Sequence, residues 1–148
     1  MSRRPLAVVT AVALTTALGA GTAAEAAGGK LKSTLSGKKE LKGGAANGKG
    51  TFTATVKRGK LCYVLRFSGI GTAVAAHIHK GTAKQDGAIV LDLQPKFRGG
   101  KASRCVTIKS SLRKAIAKHP SRYYTNVHTA KFPGGAIRGQ LVGSGLGG

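Results

Sequence analysis

From residue 31 onward the chain alternates apolar and polar residues with a period of two, the pattern of half-buried strands. Residues 31–35, LKSTL, form the first such run, and a segment rich in Gly, Lys, Ser and Ala follows through Gly50. Residues 51–56 place Phe52, Ala54 and Val56 on one face and threonines on the other. Arg58-Gly59 then turns the chain into residues 60–67, where Leu61, Tyr63, Leu65 and Phe67 share a face, so the two runs predict a hairpin. Further strands are predicted at 74–79, at 88–93 with Ile89, Leu91 and Leu93 on a buried face, and at 103–108. One helix fits between Ser110 and Pro120. Ser110 or Ser111 would cap it, Leu112 and Ile116 share a face, and the proline stops it. Two last strands flank Pro133-Gly134-Gly135 within residues 123–141, YYTNVHTAKFPGGAIRGQL, a turn in which glycine supplies positive φ. Strands do not alternate with helices, so a parallel sheet is not expected. The predicted fold is mainly β, an antiparallel β-sandwich or flattened barrel with one short helix.

The first 26 residues break this pattern. Arg3 and Arg4 precede an apolar, Ala-rich run at 6–18, and Ala24-Glu25-Ala26 is a small-residue cleavage pattern. They read as a secretory signal peptide, with an uncleaved anchor as the alternative. The run is shorter than the ~20 residues a membrane-spanning helix needs, and no later segment approaches that length. Residues 27–148 then make one domain, with its core at 31–142 and a Gly-rich tail, and contain neither a linker nor a repeat.

Charge narrows the partners. The chain of 148 residues has 25 Lys and Arg against 4 Asp and Glu, a net charge of +21. Only Arg3, Arg4 and Glu25 of these fall in the leader. Such a field attracts polyanions, and export leads the chain away from nucleic acid. The expected partners are acidic extracellular or cell-wall polymers, or another protein, met by a secreted monomer. The basic clusters are Lys38-Lys39, Lys57-Arg58-Gly59-Lys60, residues 96–101 and Arg113-Lys114, mainly in predicted turns. A merely solvated basic surface is the alternative.

Cys62 and Cys105 both lie in strand-like runs and belong to no Cys-x-x-Cys motif. In an exported chain an isolated pair reads as a structural disulfide, with a free reactive thiol as the alternative.

Three strings then line up in order: LSGKKE at 35–40, AAHIHKG at 75–81 followed by GAIVLDL, and the closing YYTNVHTAKFPGGAIRGQL. Together they resemble the CHRD domain, the module first recognised in chordin and widespread in exported microbial proteins. The resemblance covers residues 31–142 and implies a β-rich extracellular domain of no settled activity. Chordin also carries cysteine-rich growth-factor-binding repeats, which this chain lacks, so growth-factor antagonism does not carry over.

Three histidines are the sharpest candidate chemistry. His77 and His79 are two apart in a predicted strand, so their imidazoles share a face, and His128 lies in another strand. Were those strands neighbours, the three rings would form a ligand set suited to Zn or Cu. The His-x-His spacing is similar to the His-Val-His element of copper–zinc superoxide dismutases. Alternatively, the imidazoles only satisfy buried backbone groups. His119 would sit at the helix end, where the dipole favours it. Glu40 and Arg138 are candidates for a structural ion pair, with exposure of both as the alternative.

Catalysis has little to work with. Beyond the leader only Glu40, Asp86 and Asp92 are acidic, so a carboxylate pair is hard to assemble, and no Gly-x-Ser-x-Gly elbow occurs. The chain reads as a non-catalytic extracellular or wall-associated binding module. Copper redox chemistry at the histidines is the one enzymatic alternative.

Overall fold

The computed structural model describes residues 29–146, so the signal-peptide expectation for residues 1–26 lies outside it. Among the described residues are nine strands: β1 (Gly29–Ser36), β2 (Lys49–Lys57), β3 (Lys60–Ser68), β4 (Ala73–Lys80), β5 (Ile89–Asp92), β6 (Lys101–Thr107), β7 (Tyr123–Thr129), β8 (Ile137–Gln140) and β9 (Val142–Ser144). One helix, α1 (Ser110–Lys118), lies between β6 and β7. The strands form one antiparallel sheet in the order β5-β4-β7-β8-β1-β2-β3-β6, and β9 continues the line of β8 along β1. The sheet curls into a half-barrel instead of splitting into two stacked layers.

Its apolar side is the core, and the period-two pattern decides which residues reach it. Phe52, Ala54 and Val56 on β2, and Leu61, Tyr63 and Leu65 on β3, are buried, while Thr51, Thr53 and Thr55 are exposed. Helix α1 adds Ile116 to the same core, with Leu112 packed beside it. Neither serine caps the helix. Lys109 occupies the cap position without a side-chain hydrogen bond and Ser110 is the first helical residue, while the chain leaves the helix at His119. Strand β5 also departs from expectation, because Ile89 is 53% exposed and only Leu93, just past the strand, is fully buried. As a four-residue edge strand whose register shifts opposite Ile78 and His79, β5 cannot hold one face inward along its length.

The disulfide is formed. Cys62 and Cys105 stand opposite each other on β3 and β6 and close a separation of 43 residues. A cross-link of that span contributes about 4 kcal/mol by restricting the unfolded chain. Replacing both cysteines with serine is expected to lower the unfolding free energy by about that much, and a denaturant titration would measure it.

Candidate metal centre

Strand β7 is buried on both sides, and this creates the site. Its alternation sends Thr125 and Val127 to the core and Tyr124, Asn126 and His128 to the opposite, outer face. The register aligns Asp92, His77, Asn126 and Arg138 in one row across β5, β4, β7 and β8. A second row runs His79, Tyr124, Gln140. Loop 81–88, which joins β4 to β5, folds over these rows.

Arg138 holds the loop down. The residue is only 1% exposed, and its guanidinium donates to Asp86 Oδ1 at 2.9 Å, to the Thr82 carbonyl at 3.0 Å and to the Gln85 carbonyl at 3.1 Å. It also lies 3.6 Å from the centroid of the Tyr124 ring, a cation–π contact. Gln140 Nε2 donates to the Gly81 carbonyl at 3.0 Å, and the Gly87 amide donates to the Tyr124 hydroxyl at 3.2 Å. At Gly87 a Cβ would collide with the Lys80 carbonyl, so only glycine lets the loop lie this close.

The loop in turn fixes a histidine. His79 Nδ1–H donates to the Gly87 carbonyl at 2.8 Å, and its ring stacks on Tyr124 with centroids 4.8 Å apart. The lone pair of His79 is thereby on Nε2, which is buried and has no hydrogen-bond partner. His128 is held the same way. Its Nδ1–H donates to the Pro133 carbonyl at 2.9 Å, leaving Nε2 to face His77 Nδ1 at 3.1 Å. One ring nitrogen from each of His77, His79 and His128 lies within 4.8 Å of the others. Burial, then the neighbouring His128, lowers the affinity of His77 for protons against the pull of Asp92. Burial does the same to His128, opposed by its bond to the Pro133 carbonyl. Neutral rings with fixed tautomers are the form in which imidazole binds a metal.

The other predicted pair is rearranged. Arg138 makes its ion pair with Asp86, to which Lys42 also approaches at 3.5 Å. Among the described residues Glu40 makes no direct ion pair. Strand β8 aims the guanidinium beneath loop 81–88, so the nearest carboxylate is one the loop supplies. Glu40 instead packs its carboxyl against the backbone of Gly135, which has φ +137° and where a Cβ would overlap that carboxyl. Its pKa is pushed up to about 7, chiefly by burial; Arg138 and the Asn126 amide pull it down and Asp86 raises it.

The structure thus brings His77, His79 and His128 together and separates Glu40 from direct contact with Arg138. Tyr124, Asn126, Gln140 and Asp86 were not singled out in the sequence. The period of two in YYTNVHT and IRGQ places the first three on the face of His128 and Arg138, a signal that was available. Asp86 sits in a loop without periodicity, and only the fold assigns it.

Removing the guanidinium strands Asp86 and the Thr82 and Gln85 carbonyls, so Arg138→Met is expected to cost on the order of 3 kcal/mol by denaturation. For Glu40 the sign follows from proton binding. The folded chain keeps a proton that the unfolded chain loses above the ordinary value of 4.5, so this group's contribution falls as pH rises from 4.5 through about 7. Glu40→Gln is expected to flatten stability against pH across that window. Parallel profiles for the two proteins would remove Glu40 as the source.

Among the described residues no helix is long and apolar enough to cross a membrane, which says nothing of a β-barrel. Comparison with curated proteins and with solved structures finds no match. A family model does match, that of the CHRD domain, over residues 31–141. Since that span runs from the third residue of β1 through the end of β8, well over half of the chain, the chain belongs to the CHRD-domain family.

Proposed function

We propose that this CHRD domain is a non-catalytic extracellular binding module whose specific ligand is a transition-metal ion, copper or zinc, held by His77, His79 and His128. The observation that carries the reading is the buried, unpartnered Nε2 of His79, on a ring that offers one nitrogen within 4.8 Å of a nitrogen from each of His77 and His128. A buried polar atom without a partner is unfavourable by roughly 1–3 kcal/mol, and an ion at this point would relieve it. Two nitrogens each bonded at about 2.0–2.1 Å to one tetrahedral ion stand roughly 3.4 Å apart, so the His77–His128 pair at 3.1 Å already has about the spacing required, while the wider separations in the cluster, up to 4.8 Å, would have to shorten. His77 would shift its proton to Nε2 and offer Nδ1, while His79 and His128 are held by backbone carbonyls in the ligand-ready tautomer.

Three neutral nitrogens suit copper and zinc better than calcium or magnesium, which prefer oxygen. With copper the same ligands would support electron transfer, the one enzymatic chemistry compatible with so few carboxylates. Extracellular placement is supported by the disulfide, which persists in oxidising compartments, and by the family.

Calorimetric titration with Cu(II) and Zn is expected to show one ion bound per chain, and none in the His77→Ala/His79→Ala/His128→Ala variant. Affinity should fall on acidification, because protons compete for the same lone pairs. Equal heats from wild type and the triple variant would sink the reading.

A further inference from the structure

The outer face of the sheet has a second half, and it is bare. On β1, β2, β3 and β6 the positions opposite the core are exposed, apart from Ser36 and Val64, which are half-buried. They carry Lys30 and Lys32 on β1, Lys49 and Lys57 on β2, and Lys60 and Arg66 on β3. Lys101 of β6 pairs directly with Arg66. Not one acidic residue occurs in these four strands. The ground between the cations is hydroxylic, with Thr34, Thr51, Thr53 and Thr55 at its centre, and the Cys62–Cys105 disulfide ties β3 to β6 on the same side.

We infer that this face docks a linear polyanion whose repeating unit is a phosphodiester-linked polyol. The proposal stands apart from the metal site. Two shallow depressions mark its course. One, of about 250 Å³, is edged by Lys30, Lys32, Thr53 and Thr55. The other, of about 580 Å³, is edged by Lys39, Lys49, Arg66 and Ser68. Basic residues cluster at both ends of the β2–β3 hairpin, Lys57 with Lys60 at one and Lys49 with Arg66 at the other. At a rise of about 3.4 Å per residue the ends lie roughly 27 Å apart, so a single small anion cannot engage both and an extended polymer can.

Hydroxyls chiefly donate to phosphate oxygens and lysines supply point charges, which together match a phosphate carried on a hydroxylated backbone. Alternation turns Phe52, Tyr63 and Phe67 toward the core, so the face offers no aromatic platform on which nucleic-acid bases would stack. This location differs from the turn clusters that the sequence singles out. Of those, Lys57, Lys60 and Lys101 belong to the sheet face, and Lys39 lines the larger depression.

The test measures binding of the folded chain to soluble poly(glycerol phosphate), with polyglutamate and single-stranded DNA as comparators. Poly(glycerol phosphate) should bind most tightly of the three, and roughly a hundredfold more weakly when salt rises from ~50 to ~200 mM, as engagement of about four cations requires. Lys30→Gln/Lys32→Gln/Arg66→Gln is expected to weaken binding about tenfold, and Lys57→Gln/Lys60→Gln at the far end should weaken it in the same direction. Lys84→Gln/Lys114→Gln/Lys118→Gln removes three charges from the loop and helix and should change it less than about threefold. Equal losses from face and control variants would reduce the effect to net charge and overturn the proposal. So would tighter binding of polyglutamate or DNA, or no binding of the phosphate polymer.

Discussion

A buried arginine must be neutralised and its donors satisfied, and the outer half of this protein is arranged around that demand. Arg138 lies on an interior strand with almost no exposure, where an unpaired guanidinium would be strongly destabilising. The chain answers with a loop. Asp86 supplies charge to one terminal nitrogen, the Thr82 and Gln85 carbonyls accept from the other, and the Tyr124 ring offers its face. Folding loop 81–88 onto the sheet then buries a layer of polar side chains on the face opposite the apolar core. The domain therefore has two interiors, one apolar and one hydrogen-bonded.

The histidine cluster follows from the second interior. Gly87 follows Asp86, and its carbonyl orients His79; Pro133, at the turn after β7, orients His128. Positions fixed through backbone carbonyls are less mobile than positions fixed by side chains. That is the preorganisation a metal site needs before any ion arrives. Glu40 and Gly135 connect the two regions, because the carboxyl that packs under the Pro-Gly-Gly turn also feels Arg138. The bare half of the same face, on β1, β2, β3 and β6, has no loop over it and keeps its lysines in water. One sheet thus presents a covered half that holds the histidine cluster and an open half that carries lysines.

Much of the architecture was legible because the apolar alternation is strict. Phe52, Ala54 and Val56, or Leu61, Tyr63 and Leu65, leave one choice of inward face and so one hairpin register. The failures occur where local pattern competes with context. Strand β5 alternates correctly, yet its edge position and the register shift opposite Ile78 and His79 leave Ile89 in water. Helix α1 begins after Lys109 although two serines follow directly, and its packing through Ile116 holds it without a side-chain cap.

By itself the sequence determined the mainly β class, the inward faces of the interior strands, that Cys62 could pair only with Cys105, and the shared face of His77 and His79. Each is a consequence of residue type and period, which act over a few neighbours or, for two cysteines, leave one combination. Tertiary structure decided what depends on strand order. It set β7 between β4 and β8, which brought His128 to His77 and Arg138 beneath the loop, and it gave that arginine Asp86 as its partner instead of Glu40. No local signal encodes adjacency between strands 50 residues apart. It comes from the curling of one sheet around a shared core, and the chemistry of the site is inherited from that strand order.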